Sequence, residues 1–334
     1  MKSQAARVGL LFWAITVGCT DPEPLDTFAA PQRLGGQEIS PTVLQVGRDA
    51  YRLNCRPCHG HRGDGQGPAS YGLRPPPRDL RLATYKFAGV VDGLPHDDDL
   101  ARIIRRGLNG TAMLPWRVGP AEMHPLLQYI KTFSPPDEGW RDPDATLGKR
   151  VVPSHDPWQD KAAAVARGKE IYHGYATCWS CHPAYATPAD IQAMSQKLVD
   201  EGLRTGGPIS DFRANLTQPE AKESQTYLAG KTSLRILPPD FLYNDLRTVD
   251  GPSNILHASA SDRRAEADLF RIIGAGIPGT AMPAWYGSLP DREIWAMAHY
   301  VASLLAMRGD KKGYALRDAV ASAASSAVDR EPNQ

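Results

Sequence analysis

The sequence predicts an all-α protein made of two related domains. Helices are indicated at the start of each half, over residues 41–54 and 161–172, and amphipathic stretches at the end of each half, over residues 121–133 and 291–307. The length of 334 residues also suits about two domains. Short motifs recur once in each half and in the same order, so we interpret the halves as copies of one domain.

The first helix opens with a capping signal. Ser40 is followed by Pro41, and a serine N-cap before a proline at the first helical position is a typical helix start. The apolar spacing continues this helix to about Asn54. The helix therefore delivers the chain directly to a cysteine motif.

Each opening helix carries a glycine with a tyrosine four residues later, Gly47 with Tyr51 and Gly168 with Tyr172. A glycine lets a second helix backbone approach closely, and an aromatic ring fills the space beside it. We expect these positions to be points of helix packing.

The pattern C-x-x-C-H occurs twice, at residues 55–59 and 178–182, and a downstream Gly-Thr-Ala-Met follows each copy, ending at Met113 and Met282. C-x-x-C-H is typical of c-type haem attachment, in which the thiols form thioethers and the adjacent histidine binds the iron. A distant methionine can supply the sixth ligand, which raises the reduction potential. One copy alone could be a thiol redox pair or half of a zinc site. Two copies, each with its own methionine loop, favour haem.

The sequence therefore predicts two covalently attached haems c with histidine and methionine as iron ligands. The residues predicted to hold them are Cys55, Cys58, His59, Met113, Cys178, Cys181, His182 and Met282. Each histidine should donate its other ring N–H to an acceptor such as a backbone carbonyl. The proline-rich stretch after His59 is a natural source, and its residues 76–80 have a counterpart in residues 238–242.

Other side chains compete for the sixth position. The alternatives are Met123, His124, Met194, His257, Met297 and His299. His61 and His173 lie too close to their own motifs to reach the opposite face easily. Met113 and Met282 are preferred because each follows a Gly-Thr turn and precedes a proline within two residues, a loop able to lie flat against a haem.

The second half carries an insertion. Met113 follows His59 by 54 residues, whereas Met282 follows His182 by 100. The added chain lies at about 183–237 and has the apolar spacing of a short amphipathic helix, with apolar side chains at Ile191, Met194, Leu198 and Leu203. Such an insertion could form a cap or docking surface, or a surface elaboration without function.

Segments outside the two domains have simpler interpretations. Residues 1–19 resemble a signal peptide whose apolar core, residues 8–18, is 11 residues long, short of the ~20 needed to span a bilayer. Cys19 then occupies the position of a bacterial lipidation site. The alternatives are an ordinary cleaved signal or an uncleaved anchor. We expect residues 20–40 to be a flexible tether, 134–160 a linker on which Trp140 and Trp158 pack, and 308–334 a polar tail.

The charge distribution narrows the choice of partners. The whole chain has a formal net charge of +1, which argues against nucleic acid. Residues 41–133 hold 13 Lys and Arg against 8 Asp and Glu, and residues 162–307 hold 13 against 15. The excess of positive charge in the first half could steer it toward an acidic redox protein or could simply be a solvated face.

Both halves resemble class I cytochrome c domains, in which a helix enters C-x-x-C-H, a loop carries the methionine and a last helix crosses the first. The resemblance covers about residues 41–133 and 161–307. Residues 58–60, 67–68 and 75–80 are similar to the haem domains of the third subunit of cbb3-type oxidases and of periplasmic dihaem carriers. That subunit normally has a membrane helix, and no segment after residue 19 approaches transmembrane length.

The resemblance implies an electron-transfer protein rather than an enzyme. It would pass single electrons between a donor and an acceptor protein, which a membrane oxidase or reductase complex could supply. We expect it on the periplasmic side of a bacterial membrane, held by lipid on Cys19, with the outer membrane weakly favoured by Thr20. The alternatives are a dihaem peroxidase-like enzyme, a haem subunit of a larger oxidoreductase complex and a module without haem.

Overall fold

The computed structural model describes residues 26–213, 215–218, 228–229, 232–233, 237–249 and 262–328. Helices dominate this part of the chain, which confirms the all-α class. The helices are α1 (Pro41–Asn54), α2 (Arg56–His59), α3 (Asp97–Arg106), α4 (Pro120–Lys131), α5 (Lys161–Glu170), α6 (Pro188–Asp200), α7 (Asp262–Ala275), α8 (Asp291–Ala306) and α9 (Lys311–Val328). A π-helical turn, Ile171–Tyr175, continues α5.

In the described part of the chain, the strands form three two-stranded antiparallel ribbons. They are β1 (Gln32–Leu34) with β2 (Gln37–Ile39), β3 (Val90–Val91) with β4 (Lys149–Arg150), and β5 (Leu228–Ala229) with β6 (Thr232–Ser233).

In the first domain, α1 crosses α4 at Gly47. A Cβ atom at this position would lie 2.0 Å from the backbone oxygen of Pro125 and 2.8 Å from the Cβ of Tyr129. The predicted N-cap is also present, because the Ser40 hydroxyl accepts the backbone N–H of Val43 at 3.4 Å. The predicted helix start and the predicted close approach are both confirmed.

The second domain repeats this crossing with α5 and α8. A Cβ atom at Gly168 would lie 2.0 Å from the backbone oxygen of Ala296 and 2.7 Å from the Cβ of Tyr300. Because such distances fall inside van der Waals contact, any side chain larger than hydrogen would force the two helices apart. The glycines therefore fix the distance between the helices that hold each domain together.

Residues 26–40 differ from the prediction of a flexible tether. β1 and β2 form a hairpin, and the backbone N–H of Gly35 donates to the carbonyl of Trp140 at 2.7 Å. Leu34 is 1% exposed, and the Asp26 carboxylate accepts the hydroxyl of Tyr129. The prediction was wrong for these residues because it rested on composition, while burial of a leucine and an isoleucine ties the segment to the first domain. Residues 20–25 lie outside the described part of the chain.

The linker packs as its tryptophans predicted. Trp140 is buried against the first core, and the indole N–H of Trp158 donates to the carbonyl of Arg292 at 2.9 Å. Between them, β4 pairs with β3 of the first domain. The linker therefore contacts both domains along its length.

The insertion and the C-terminal segment complete the second core. Ile191 and Leu198 on α6 are fully buried, which confirms the predicted amphipathic helix. The prediction of a polar tail is corrected, since α9 buries Val320 against the second domain and Arg317 forms an ion pair with Asp240. Within the described residues, none of the helices is both long and apolar enough to cross a bilayer.

Candidate haem-binding sites

The first motif lies where α1 passes into α2. Nδ1 of His59 is 3.0 Å from the carbonyl oxygen of Arg78. Since a carbonyl can only accept, Nδ1 carries the proton and the lone pair of Nε2 is left for a ligand. Burial lowers the pKa of His59 below its usual value, which favours this neutral form. The acceptor lies in the proline-rich stretch where the sequence analysis expected it.

The second motif has the same arrangement. Nδ1 of His182 is 2.9 Å from the carbonyl oxygen of Pro239, and burial again lowers the pKa of the imidazole. The structure corrects the alignment of the two proline-rich stretches by one residue, because Pro239 takes the place of Arg78. Asp79 and Asp240 then correspond, and each accepts the backbone N–H two residues later, at 3.0 and 3.1 Å.

The four cysteines in the described part of the chain are free thiols. Each is partly exposed. Burial, and then the neighbouring cysteine, raises the pKa of Cys55 and of Cys178 to about 12. Cys55 and Cys178 are therefore protonated at neutral pH and unlike the activated thiolates of redox pairs.

A tyrosine from each opening helix fixes the residue that follows the motif histidine. The hydroxyl of Tyr51 donates to the carbonyl of Gly60 at 2.8 Å, and the hydroxyl of Tyr172 donates to the carbonyl of Pro183 at 3.0 Å. Both hydroxyls are buried, so each hydrogen bond satisfies groups that water does not reach. The tyrosines thus tie the helix crossing to the chain around each histidine.

The first methionine loop is closed by its threonine. The Thr111 hydroxyl donates to the carbonyl of Leu108 at 2.8 Å and accepts the N–H of Met113 at 3.0 Å. The N–H of Leu108 donates to the carbonyl of Met113 at 2.8 Å. Gly107 has φ +66°, and a Cβ there would lie 2.5 Å from the Met113 oxygen. Only glycine fits this corner.

The second loop uses the same contacts. The Thr280 hydroxyl donates to the carbonyl of Ile277 at 2.7 Å and accepts the N–H of Met282 at 3.2 Å. Gly276 has φ +66°, and its Cβ would lie 2.7 Å from the Met282 oxygen. Met113 and Met282 are each partly exposed. Two loops of near-identical sequence therefore present their methionines in the same way.

The competing methionines have structural roles where the structure describes them. Met123 and Met297 are 4% and 1% exposed within the two cores, and Met194 is partly buried on α6. These side chains serve in packing. His257 lies outside the described residues.

The competing histidines have other partners. His124 lies beside Gln128 and Asp97 on the surface. His173 is fully buried, with Nδ1 facing the carbonyl of Lys169 and Nε2 accepting the N–H of Tyr185 at 3.1 Å. His299 is held between two carboxylates. His61 lies 3.9 Å from an oxygen of Asp26.

Sequence reasoning missed several residues of the sites. Asp79 and Asp240 are 2% and 7% exposed and shape the turns that bear the histidine acceptors. A repeat alignment shifted by one residue would have identified them. Arg213, in the insertion, donates to the carbonyl of His182 at 2.7 Å, and no local pattern indicates that contact.

The residues present fit covalent haem. Each site provides two thiols spaced for thioethers, a neutral imidazole with its outer nitrogen fixed, and a thioether sulfur on a closed loop. This donor set is that of His/Met-ligated haem c. Within the described residues, no group of three or more His, Cys, Asp and Glu side chains converges to hold a metal ion, so a zinc site would lack ligands. The assignment of individual ligands stays a prediction.

Two comparisons with known proteins found a match. The family model described as cytochrome c oxidase, cbb3-type, subunit III matches residues 43–130 and 248–301. The first match contains the motif at 55–59 and Met113, while the second contains Met282 and begins after the motif at 178–182. No curated protein matches the chain.

Among solved structures, a chain of a reducing HAO-like protein complex from Kuenenia stuttgartiensis is similar to this one. The TM-score is 0.56 and the sequence identity 25%, and the match covers 78% of this chain and 96% of that chain. These findings confirm the predicted resemblance to c-type cytochromes. Cytochrome c domains of this kind carry covalent haem c, and the likeness supports a haem-dependent role in electron transfer.

Proposed function

We propose that the chain binds two haems c and passes single electrons between redox proteins. The observation that carries this proposal is the duplication of a complete site. In both halves a histidine faces a backbone carbonyl, a tyrosine hydroxyl holds the next residue, and a Gly-Thr loop presents a methionine. A single pattern could arise by chance, but the same set of contacts formed in both halves supports the same role for both.

Bound haem would supply a one-electron iron couple at each site. Cys55, Cys58, Cys178 and Cys181 would attach it, and His59, Met113, His182 and Met282 would ligate the iron. The carbonyls of Arg78 and Pro239 keep both imidazoles in one tautomer and orientation. Because a histidine and a methionine of the protein would both bind each iron, no site would be left for a substrate. The chain would then accept an electron from one protein and pass it to another.

Counting haems in purified protein tests the proposal. The wild type should give two haems per chain in a pyridine haemochrome assay, and the pairs Cys55→Ser with Cys58→Ser, and Cys178→Ser with Cys181→Ser, should each give one. Ser180→Ala, between the second pair of cysteines, is a matched control and should keep two. A wild-type protein with fewer than two haems would refute the proposal.

Carbon monoxide separates the carrier from a peroxidase-like enzyme. Such an enzyme needs an iron with an accessible sixth position, whereas two methionine-ligated irons should bind carbon monoxide slowly in the reduced protein. Met113→Ala and Met282→Ala should each open one site, and Met123→Leu and Met297→Leu, in the cores, should not. Prompt binding by the wild type at one haem would favour the enzyme.

A role within a larger assembly is also proposed. The similar chain from Kuenenia stuttgartiensis is a component of a multi-protein complex and is covered almost completely by the match. We infer that this chain exchanges electrons with a partner oxidoreductase, and a respiratory oxidase or reductase is the expected class. Purification from native membranes followed by identification of co-purifying proteins tests this, and isolation as a lone chain would contradict it.

We further propose export and lipid attachment at Cys19. Asp26, the first described residue, is held by Tyr129 of the first domain, and it follows Cys19 by seven residues. Such a segment spans at most about 25 Å, so the first domain would sit near the membrane surface. Fractionation of a Cys19→Ser variant should move the protein from membranes to the soluble periplasm. Retention in the membrane would contradict the lipid anchor.

A further inference from the structure

The two methionine loops are closed by the same contacts but differ at the residue before the Gly-Thr turn. Aligned on the glycines and methionines, residues 107–113 and 276–282 differ only by Leu108 against Ile277 and by Asn109 against Pro278. Proline has no backbone N–H and no side-chain donor. The position before the Gly-Thr turn can therefore make hydrogen bonds in the first loop that the second cannot make.

Asn109 makes those hydrogen bonds to the other domain. Its backbone N–H donates to the carbonyl of Arg247 at 2.8 Å. Its side-chain amide donates to the carbonyls of Leu246 at 3.1 Å and Val249 at 3.0 Å. Three donations reach one short segment, residues 246–249. The side-chain amide thus hydrogen-bonds two backbone carbonyls of this segment, as a neighbouring strand would do.

Segment 246–249 also donates to the first methionine loop, through the side chain of Arg247. The Arg247 guanidinium lies 3.5 Å from the carbonyl of Asn109 and 3.4 Å from that of Gly110. Segment 246–249 begins six residues after Asp240. Pro239, which directly precedes Asp240, accepts the ring N–H of His182 through its backbone carbonyl. The first methionine loop is therefore hydrogen-bonded to the same stretch of chain that orients His182 of the second site.

A neighbouring ion pair holds the two domains in register. Arg106, the last residue of α3, donates to both carboxylate oxygens of Asp268 on α7, at 3.1 and 2.7 Å. Asp268 is 5% exposed and also pairs with Arg271. Since Gly107 follows Arg106 directly, the base of the first loop and its Asn109 are both attached to the second domain.

We propose that Asn109 is a positioning residue through which the second domain holds Met113 in place, so that ligation of the first iron depends on docking of the two domains. The proposal rests on the proposed function, since it requires haem in the first site. Pro278, at the corresponding position of the Met282 loop, has no N–H with which to make these donations. The first site is then sensitive to any partner that alters the domain interface, and the second is less so.

Substitutions at the two equivalent positions test this inference. Asn109→Pro removes all three donations, and the second domain shows that the loop accommodates proline there. Asn109→Gly removes the amide side chain and keeps the backbone N–H. Pro278→Ala is the matched control in the other loop. The variants are made in the haem-loaded full chain, and unchanged haem content and thermal unfolding establish that they fold.

Three measurements report on Met113. A Met282→His background leaves the first haem as the source of the methionine–iron charge-transfer band of the oxidised protein. Asn109→Pro should weaken this band. It should also raise the equilibrium constant for dissociation of Met113 from the iron by about tenfold or more, the size expected for loss of one or two hydrogen bonds. Carbon monoxide should bind the reduced variant correspondingly better, and one midpoint potential should fall because methionine ligation favours the reduced iron. In all three measurements, Asn109→Gly should give values between those of the wild type and of Asn109→Pro.

The outcomes distinguish this inference from the function on which it rests. Two methionine-ligated haems in the wild type, with no change in Asn109→Pro, would overturn the inference and leave the function intact. Equal changes from Asn109→Pro and Pro278→Ala would also overturn it, because the effect would not depend on the domain contact. A wild type without a methionine-ligated first haem would overturn both.

Discussion

The two domains share a helix crossing but surround it with different chemistry. Both crossings close on a glycine against a backbone carbonyl at the same clearance. Beside the crossing tyrosine, the first domain has Gln128 and the second has His299. The amide of Gln128 donates to Asp97 at 2.7 Å, whereas both ring nitrogens of His299 face carboxylates, Glu266 at 3.1 Å and Asp156 at 2.8 Å. The same position thus carries a neutral amide beside one carboxylate in the first domain and a titratable imidazole between two carboxylates in the second.

The residue before each crossing glycine differs as well. Val46 is 42% exposed in the first domain. Arg167, its counterpart, binds both carboxylate oxygens of Glu293 on α8 at 2.9 and 3.1 Å and reaches Glu170 and Glu201. The second domain adds α6, α9 and the Arg167 ion pairs around the same helix crossing. The close packing of the two crossing helices is therefore the same in both domains, whereas the polar and ionic side-chain contacts around the crossing differ.

The largest effect is expected from substitution of the glycine at each helix crossing, which both domains share. Gly47→Ala and Gly168→Ala place a methyl group 2.0 Å from a backbone oxygen, and each should destabilise its domain by about 3 kcal/mol or more. Urea unfolding followed by circular dichroism measures this. Gly207→Ala, where nothing lies within 4 Å of the added atom, should be near neutral. A tolerated alanine at either crossing would show that the helices are not held at that distance.

Removal of the shared tyrosine hydroxyls should come next. Tyr51→Phe and Tyr172→Phe leave buried carbonyls at Gly60 and Pro183 without their donors. Each should cost about 1–3 kcal/mol in the free energy of unfolding. Tyr71→Phe, at a side chain 97% exposed, is the control and should change nothing. Equal stability of all three variants would mean that these hydroxyls do not secure the sites.

A smaller effect should separate the domains. Arg167→Met removes the hydrogen bonds to Glu293 and leaves three carboxylates near one another. The Arg167 side chain is 18% exposed, so solvent screening limits the expected loss to about 1–2 kcal/mol. Val46→Met at the matching surface position should stay within about 0.5 kcal/mol. Similar losses in both variants would erase the proposed difference in electrostatics.

The smallest effect concerns pH dependence. The hydrogen bond to Glu266 raises the pKa of His299 above 6.5, against burial, and Asp156 raises it further. A raised folded-state pKa stabilises the fold fully below 6.5, and this stabilisation is lost as pH rises through the folded value. The melting temperature of the wild type should therefore fall with rising pH above 6.5 more than that of His299→Gln, which copies Gln128. Parallel pH profiles would show that His299 is not charged in the folded state.

Much of the fold and of the candidate sites was readable from local signals. The N-cap at Ser40, the helix that ends at Asn54 and the Gly-Thr loops depend on residues a few positions apart, and the structure shows them as predicted. The same is true of the paired crossing glycines, because close helix contact restricts residue size at a single position. Residues 26–40 were mispredicted as a tether, since their hairpin is held by burial of Leu34 and Ile39 with Leu44 and by a hydrogen bond to the Trp140 carbonyl, which composition does not indicate.

The sequence by itself determined the two C-x-x-C-H motifs, the two Gly-Thr-Ala-Met strings and the all-α class, because motifs and helices both depend on fixed spacings along the chain. Only the tertiary structure decided that the carbonyls of Arg78 and Pro239 face the histidines and that Asn109 binds the second domain. Those contacts join residues 19 to 140 positions apart. Their partners are backbone carbonyls, which every residue has, so no residue type in the sequence could announce them.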